Sequence, residues 1–110
     1  MNQGEIWDVN LNQTKGSEQS GYRPVVIISG NLLNKYLKVV ITCPLTTNIK
    51  NYKGNVVLSP NIENGLEESS EVLIFHIRSI SKDRFQKKVG CITNEELDSL
   101  KIGVNDILNY

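Results

Sequence analysis

The chain has 110 residues, with 12 Lys and Arg against 12 Asp and Glu, one His and two Cys. This length predicts one domain over residues 1–110, and so small a domain often completes its core in a symmetric dimer. No apolar run approaches the roughly 20 residues of a membrane-spanning helix, and the N-terminus lacks the pattern of a secretory signal. We therefore expect a soluble, cytoplasmic protein with no membrane partner.

Short runs rich in Val and Ile predict six strands, since such side chains fit a pleated, half-buried surface. The runs are residues 5–11, 24–29, 38–45, 55–58, 71–76 and 88–92. Turn-forming residues separate them at 14–21, 48–54 and 59–65, and residues 31–36 are expected to form a short helical turn. Cys43 and Cys91 each lie within an apolar run and are expected to be buried thiols rather than a disulfide or a metal pair.

A helix is predicted at the end of the chain. Thr93 and Glu96 have the spacing of a capping box, in which each side chain satisfies a backbone amide of the first turn. An apolar stripe follows at steps of three and four residues: Leu97, Leu100, Val104, Ile107 and Leu108. Gly103 weakens this helix, so packing must support it. The sequence thus predicts a mainly β fold with a C-terminal α-helix, as a strongly bent antiparallel sheet or barrel.

Charge is segregated along the chain although its sum is zero. Residues 9–58 carry six Lys and Arg against one Glu, residues 59–75 carry four Glu and no base, and residues 76–92 carry five Lys and Arg against one Asp. A polyanion can bind a locally basic face of a neutral protein, because screening confines the field to about 8–10 Å. Solvated loops of no functional meaning would give the same pattern.

Two short segments have the composition of a functional site. The first, residues 16–24, is a polar loop bracketed by glycines; it contains Glu18 and ends in Arg23 before a strand. Pro24 disfavours helical backbone at Arg23 and so predicts a defined direction for the arginine. The second, residues 44–48, is a strand end that leads into hydroxyl and amide side chains, among them Thr46. One His and two separated Cys give no ligand set for a metal. The sequence also has no glycine-rich phosphate-binding loop, so no cofactor is expected.

Four segments resemble, in order, the MazF/PemK/Kid family of toxin endoribonucleases: GEIWDVNLNQTKGSEQSGYRPVVIIS, CPLTTNIK, VLIFHIRSISKDRF and the terminal helix. The pairing of G-S-E-Q-x-G-x-R-P with P-L-T-T-N is specific, and the resemblance covers nearly the whole chain. It implies a small SH3-like β-barrel that forms a homodimer and cleaves single-stranded RNA, usually mRNA, without a metal or other cofactor. It also implies a cognate antitoxin protein, as in type II toxin–antitoxin modules.

The resemblance also assigns site residues. The family's conserved arginine falls on Arg23, its catalytic threonine on Thr46 and its loop glutamate on Glu18. Residues expected to contact RNA are Ser17, Gln19, Tyr22, Thr47, Asn48, Lys50, His76 and Arg78. Two positions depart from the family pattern: His76 stands where other members have a glutamine that contacts the substrate, and Phe75 where several have an acid.

Such a cleavage would use the 2′-hydroxyl of RNA as nucleophile and give 2′,3′-cyclic phosphate and 5′-hydroxyl ends. Arg23 can donate two hydrogen bonds to phosphate oxygens and Thr46 one more, with Glu18 or Arg23 as the proton acceptor. Two alternatives stay open: a homologue that binds RNA or antitoxin but cleaves weakly, and a gyrase poison like CcdB. The chain end lacks the Trp-Gly of the latter. The terminal helix and the 24–29 strand are expected to form the dimer contact.

Overall fold

Seven antiparallel strands, a short helix and a longer C-terminal helix form most of the part of the chain that this computed structural model describes, residues 1–11 and 21–109. The strands are β1 (Glu5–Asn10), β2 (Tyr22–Ile27), β3 (Val39–Thr46), β4 (Val56–Leu58), β5 (Ser70–Val72), β6 (Arg78–Ser81) and β7 (Phe85–Cys91); the helices are α1 (Asn31–Tyr36) and α2 (Asn94–Asn109). Two 3₁₀ turns, Ile74–His76 and Lys82–Arg84, flank β6. The mainly β class with a C-terminal helix is confirmed. Across these described ranges, no helix has the length and apolarity needed to cross a membrane.

The sheet is ordered β4-β5-β3-β2-β1-β7, and β6 also pairs with β3. The eight-residue strand β3 organises this arrangement, because it pairs with β2 along one edge and with β5 and β6 in succession along the other. Strand β2 lies between β1 and β3, and its residues Val25, Val26 and Ile27 are at most 1% exposed. The expected dimer contact of the 24–29 strand stays a prediction, and only its part-exposed residues Pro24 and Ile28 are open to a partner.

Two apolar clusters form on opposite faces of the curled sheet, because side chains alternate along each strand. The first lies between the sheet and α2 and contains Ile6, Val26 and Leu100, all fully buried. The second is smaller and contains Val9, Val25 and Ile80, with Trp7 and Phe85 packed at its margin. Arg23 pairs with Val9, so the face of the second cluster is also the face from which Arg23 projects.

The predicted single strand over residues 71–76 is wrong, since a turn interrupts it. Leu45 and Thr42 are three positions apart on β3, but their partners Val72 and Arg78 are six apart. The extra residues form the 3₁₀ turn Ile74–His76, hereafter the 74–76 turn. An unbroken apolar run gives no indication of this change of register. The last strand also begins earlier than predicted, at Phe85 instead of residue 88.

Helix α2 begins with the predicted capping box. The Thr93 amide donates to Glu96 Oε1 at 2.9 Å, and the Glu96 amide donates to Thr93 Oγ1 at 3.0 Å. Leu100 is fully buried, and Leu97, Val104 and Ile107 pack on the first cluster. Leu108 is 76% exposed and does not belong to the stripe.

The G-E-I-W segment at the start of β1 has a structural role. Gly4 has φ +91°, a left-handed conformation that favours glycine. Glu5 accepts hydrogen bonds from Trp7 Nε1 at 2.9 Å and the Asn2 amide at 3.1 Å, and its carboxylate pairs with Lys88 at 3.2 Å. Burial raises the pKa of Glu5, but these contacts outweigh it and hold the pKa below its usual value. The motif therefore anchors β1 to β7.

The two cysteines differ in environment. Cys43 is fully buried in the first cluster, as predicted, and burial raises the pKa of its thiol to about 12. Cys91 is exposed, so its predicted burial is wrong. It is the last residue of β7, at the edge of the sheet, and its side chain is left in solvent.

Candidate active site

Arg23 and Thr46 lie at the same end of the neighbouring strands β2 and β3. The hydrogen-bonded register of β2 and β3 includes Val25 opposite Pro44, and continuing it by two residues places Arg23 opposite Thr46. Opposite residues of an antiparallel pair leave the sheet on the same face. Arg23 is exposed and Thr46 is half-buried. A guanidinium and a hydroxyl thus share a solvent-accessible surface.

The backbone of Arg23 is fixed on the side of β1 as well. It pairs with Val9, whose side chain is fully buried in the second cluster, and the next residue, Pro24, pairs with Asp8. The proline restricts Arg23 to an extended conformation, which the strand assignment confirms. The arginine therefore stands on a rigid strand although its side chain reaches solvent.

The Thr46 hydroxyl holds the turn that follows β3. The Asn48 amide donates to Thr46 Oγ1 at 3.1 Å, which is the pattern of a threonine turn. This bond uses a lone pair of the oxygen, so the hydroxyl proton remains able to donate to a ligand. Thr47 and Asn48 are both exposed on this turn.

A buried carboxylate shapes the next part of the same loop. Glu71 on β5 is fully buried and is the register partner of Thr46. Its Oε1 accepts from the amides of Lys50 at 2.8 Å and Asn51 at 3.2 Å, and its Oε2 accepts from the Tyr52 amide at 2.9 Å and Asn55 Nδ2 at 3.0 Å.

Successive backbone amides that converge in this way form an anion-binding nest. The nest requires a left-handed residue, and Asn51 has φ +55°. Burial raises the pKa of Glu71, but the hydrogen bonds from Lys50, Asn55, Tyr52 and Asn51 outweigh it and hold the pKa below its usual value. Sequence reasoning missed this role and counted Glu71 only among the acids of residues 59–75. The available signal was an acid placed directly before the apolar run V-L-I-F.

The loop is also tied to the 74–76 turn. The Ile74 amide donates to Asn55 Oδ1 at 3.3 Å, and the rings of Tyr52 and Phe75 meet edge to face with centroids 6.1 Å apart. His76 is exposed on this turn. A groove of about 670 Å³ opens beside the ring pair; its lining includes Lys53, Gly54, Ile74, Phe75, Gly103 and Ile107.

Further arginines border this face. Arg78 is exposed and pairs with Thr42, which is four residues from Thr46 on β3 and so lies on the same face, about 13 Å along the strand. Arg84 Nη1 donates to the Asn10 carbonyl at 3.2 Å, at the end of β1. Arg84 was not among the predicted site residues, because nothing in the basic stretch 82–88 distinguishes it.

Three predicted residues, Ser17, Glu18 and Gln19, lie outside the described residues. Among the others, Arg23, Thr46 and Arg78 project from one face. Thr47, Asn48 and Lys50 are exposed on the loop after β3, and His76 stands on the 74–76 turn. Tyr22 is exposed but precedes Arg23 on β2, so its side chain leaves the sheet on the opposite face. Over residues 1–11 and 21–109, no group of three or more His, Cys, Asp or Glu side chains is arranged to hold a metal ion.

Comparison with known proteins relates the chain to one family. Residues 2–108 match the family described as PemK-like, MazF-like toxin of type II toxin–antitoxin system. The chain is 36% identical over 104 residues to the endoribonuclease toxin MazF of Escherichia coli strain K12, covering 94% of this chain and 88% of that protein.

Two solved structures resemble the fold. MazF from Deinococcus radiodurans superimposes with a TM-score of 0.79 at 25% identity, covering 100% of this chain and 97% of that one. A mycobacterial endoribonuclease in complex with its cognate antitoxin gives a TM-score of 0.81 at 19% identity, covering 98% and 94% of the two chains. At that identity the likeness shows the fold alone.

Proposed function

Because the chain belongs to the PemK-like, MazF-like family of toxins of type II toxin–antitoxin systems, we propose that it is an endoribonuclease that cleaves single-stranded mRNA at a short sequence. The observation that carries the proposal is the register of β2 and β3, whose continuation by two residues sets Arg23 opposite Thr46 on one solvent-accessible face. A planar cation beside a hydroxyl is an arrangement suited to a phosphodiester, since both groups donate hydrogen bonds to phosphate oxygens.

The reaction proceeds by attack of the 2′-oxygen on the adjacent phosphorus while the bond from phosphorus to the 5′-oxygen breaks. The proton of the 2′-hydroxyl passes to a base, for which Glu18 is the candidate with Arg23 as the alternative, and the departing 5′-oxygen gains a proton. Arg23 and Thr46 stabilise the charge that develops on the phosphorane oxygens. The products are a 2′,3′-cyclic phosphate and a 5′-hydroxyl, and no metal is required.

The substrate lies along the exposed residues next to this pair. Thr47 and Asn48 offer hydrogen bonds to base edges, and Lys50 and Arg78 attract the backbone. Tyr22 leaves β2 on the opposite face from Arg23, so its ring can stack only on a base that passes the edge of the sheet. His76 completes this surface on the 74–76 turn. The family resemblance assigns the same role to Ser17 and Gln19. Bases are read in single strands because their edges are exposed there.

The proposal includes a cytoplasmic location and two protein partners. A cognate antitoxin is expected because the mycobacterial endoribonuclease was solved with one, and an acidic, disordered tail would compete with RNA for the basic face.

A second copy of the chain is expected because apolar side chains are exposed on and after α1 and on α2: Leu32, Leu33, Tyr36, Leu37, Ile102 and Leu108. Light scattering at micromolar concentration should give twice the mass of 12.4 kDa. A monomer would contradict the homodimer.

The test is incubation of the purified protein with a long RNA of mixed sequence in the presence of EDTA, followed by mapping of the ends. We expect cuts at one short sequence with 2′,3′-cyclic phosphate and 5′-hydroxyl ends, and no cut where the attacking nucleotide carries a 2′-deoxyribose. Arg23→Ala should abolish cleavage and change the free energy of unfolding by no more than about 0.5 kcal/mol, because the side chain is exposed.

Lys101→Ala is the matched control, since it removes an exposed positive charge from α2. It should cleave like the wild-type protein. Full activity of Arg23→Ala would refute the assignment of Arg23, and cleavage that EDTA abolishes would refute metal independence. Binding of RNA without cleavage would identify a catalytically weak homologue instead.

A further inference from the structure

Glu71 and Thr46 face the same way from neighbouring strands. They are register partners in the β3–β5 pair, so their side chains leave the sheet on one side. The amides of residues 50–52 point at the Glu71 carboxylate. The 50–52 backbone therefore curls back over the side of the sheet that carries the Thr46 hydroxyl.

The hydrogen bonding of the Glu71 carboxylate is complete. Each oxygen accepts two bonds, and an ionised carboxylate offers about four acceptor positions. Burying a charge is unfavourable in itself, and these charge-assisted bonds compensate for it. An apolar residue at this position of β5 would avoid the cost of burying a charge. The carboxylate is thus better explained by the loop conformation that it selects than by stability.

The same contacts join two groups of candidate RNA-binding residues. Lys50 is bound through its amide, and Asn55 connects the carboxylate to the Ile74 amide at the head of the 74–76 turn, which carries His76. The Tyr52 and Phe75 rings also contact each other between these two segments, and they are 50% and 54% exposed. Half-exposed aromatic rings next to a lysine are the elements from which single-stranded RNA sites are built.

From this geometry we infer that Glu71 is a positioning residue for RNA recognition: its carboxylate holds the 50–55 segment and the 74–76 turn as one rigid surface beside Thr46, and this surface sets the affinity for RNA and the choice of cleavage site. The inference rests on the proposed endoribonuclease function. Glu71 itself touches no reacting atom, because it is fully buried under the loop.

The test compares Glu71→Gln with Glu67→Gln. The two substitutions make the same chemical change, but Glu67 is exposed in the segment before β5. A glutamine amide at position 71 places N–H groups against two of the four donors and so loosens the loop. Ile92→Val serves as a second control, because it removes one methyl group from the first cluster just before the start of α2. The 74–76 turn contacts α2 further along, at Gly103.

The readouts are KM and kcat on a short oligonucleotide that contains the mapped site, and the rate ratio between that site and single-base variants of it. Glu71→Gln should raise KM about tenfold and reduce the rate ratio about tenfold, as expected for loss of a base contact, with kcat at saturation within about threefold of the wild type. Amide hydrogen exchange at residues 50–52 should accelerate. Glu67→Gln and Ile92→Val should leave KM and the rate ratio unchanged.

Glu71→Gln with wild-type KM and rate ratio would overturn the inference, as would an equal change in Ile92→Val. If Glu71→Gln does not fold, Asn55→Ala takes its place, since it removes one of the four donors and the tie to Ile74. It should shift both readouts in the same direction by about threefold, and unchanged values would overturn the inference. Absence of Arg23-dependent cleavage in the wild-type protein would instead refute the proposed function itself.

Discussion

Gly103 lies where α2 packs against the β3–β4 loop and the 74–76 turn. A Cβ at this position would stand 2.7 Å from the Gly54 carbonyl oxygen and 2.8 Å from Ile74 Cδ1. The Ile74 methyl group can move, but the Gly54 oxygen belongs to the backbone, and Gly54 itself has φ +92°. Gly103→Ala therefore tests whether this close approach exists.

Helix propensity and packing act in opposite directions in Gly103→Ala. Alanine in place of glycine stabilises a helix interior by about 1 kcal/mol. Overpacking of a tight contact costs about 1–3 kcal/mol, and the fixed carbonyl places this case in the upper half of that range. We expect a net loss of about 1 kcal/mol in the free energy of unfolding. The strain acts at Gly54, next to Asn55, so KM for RNA should rise as well.

Urea denaturation followed by circular dichroism measures this effect, with Ser99→Ala as the control. Ser99 is exposed on the same helix, so its replacement should stabilise the protein by roughly 0.5 kcal/mol through propensity alone. The midpoint of Gly103→Ala should fall with an unchanged slope. If Gly103→Ala instead gains stability as Ser99→Ala does, the helix does not approach the loop as described and the reasoning is wrong.

Three further predictions concern stability and reactivity. Because the pKa of Glu71 is lower in the folded protein, the ionised carboxylate stabilises the fold above the usual carboxyl value of 4.5, and this stabilisation is lost as the pH falls through the folded-state pKa. The free energy of unfolding of the wild type should therefore exceed that of Glu71→Gln by about 3 kcal/mol at pH 7, and urea titrations should show the difference shrinking on acidification. A difference that stays constant with pH would contradict this prediction. Thr93→Ala should cost about 1 kcal/mol in the same assay by removing the capping box, and no loss would contradict that contact. A thiol reagent should label Cys91 in the native protein and Cys43 only after unfolding, so native Cys91→Ser should remain unlabelled.

The sequence indicates elements most clearly where the signal is local. The capping box at Thr93 and the strand across G-E-I-W-D-V depend on neighbours within a few residues, and both are found. The position of Arg23 opposite Thr46 depends on register, which a sequence pattern does not provide without the fold. The resemblance to the family nevertheless assigns both Arg23 and Thr46 to the site from the sequence alone.

Features that depend on distant contacts were missed. Glu71 is buried only because the 50–52 amides curl around it. The 74–76 turn follows β5 because β3 pairs with β5 at one end and with β6 at the other. Exposure of Cys91 follows from its place at the sheet edge, which a local apolar run does not reveal. Pairing with β1 and β3 buries Val25, Val26 and Ile27, which the sequence alone does not reveal.

The most direct test of the central claim, that Arg23 and Thr46 act on the same phosphodiester, is a double-mutant cycle on the cleavage rate of one oligonucleotide. Thr46→Val removes the hydroxyl and keeps the branched shape. Arg23→Lys keeps a positive charge without the paired donors of the guanidinium, so a rate can be measured in both backgrounds. If both groups stabilise one transition state, Thr46→Val should slow the wild-type protein at least tenfold more than it slows Arg23→Lys. Equal slowing in the two backgrounds would show that the residues act independently and would contradict the account.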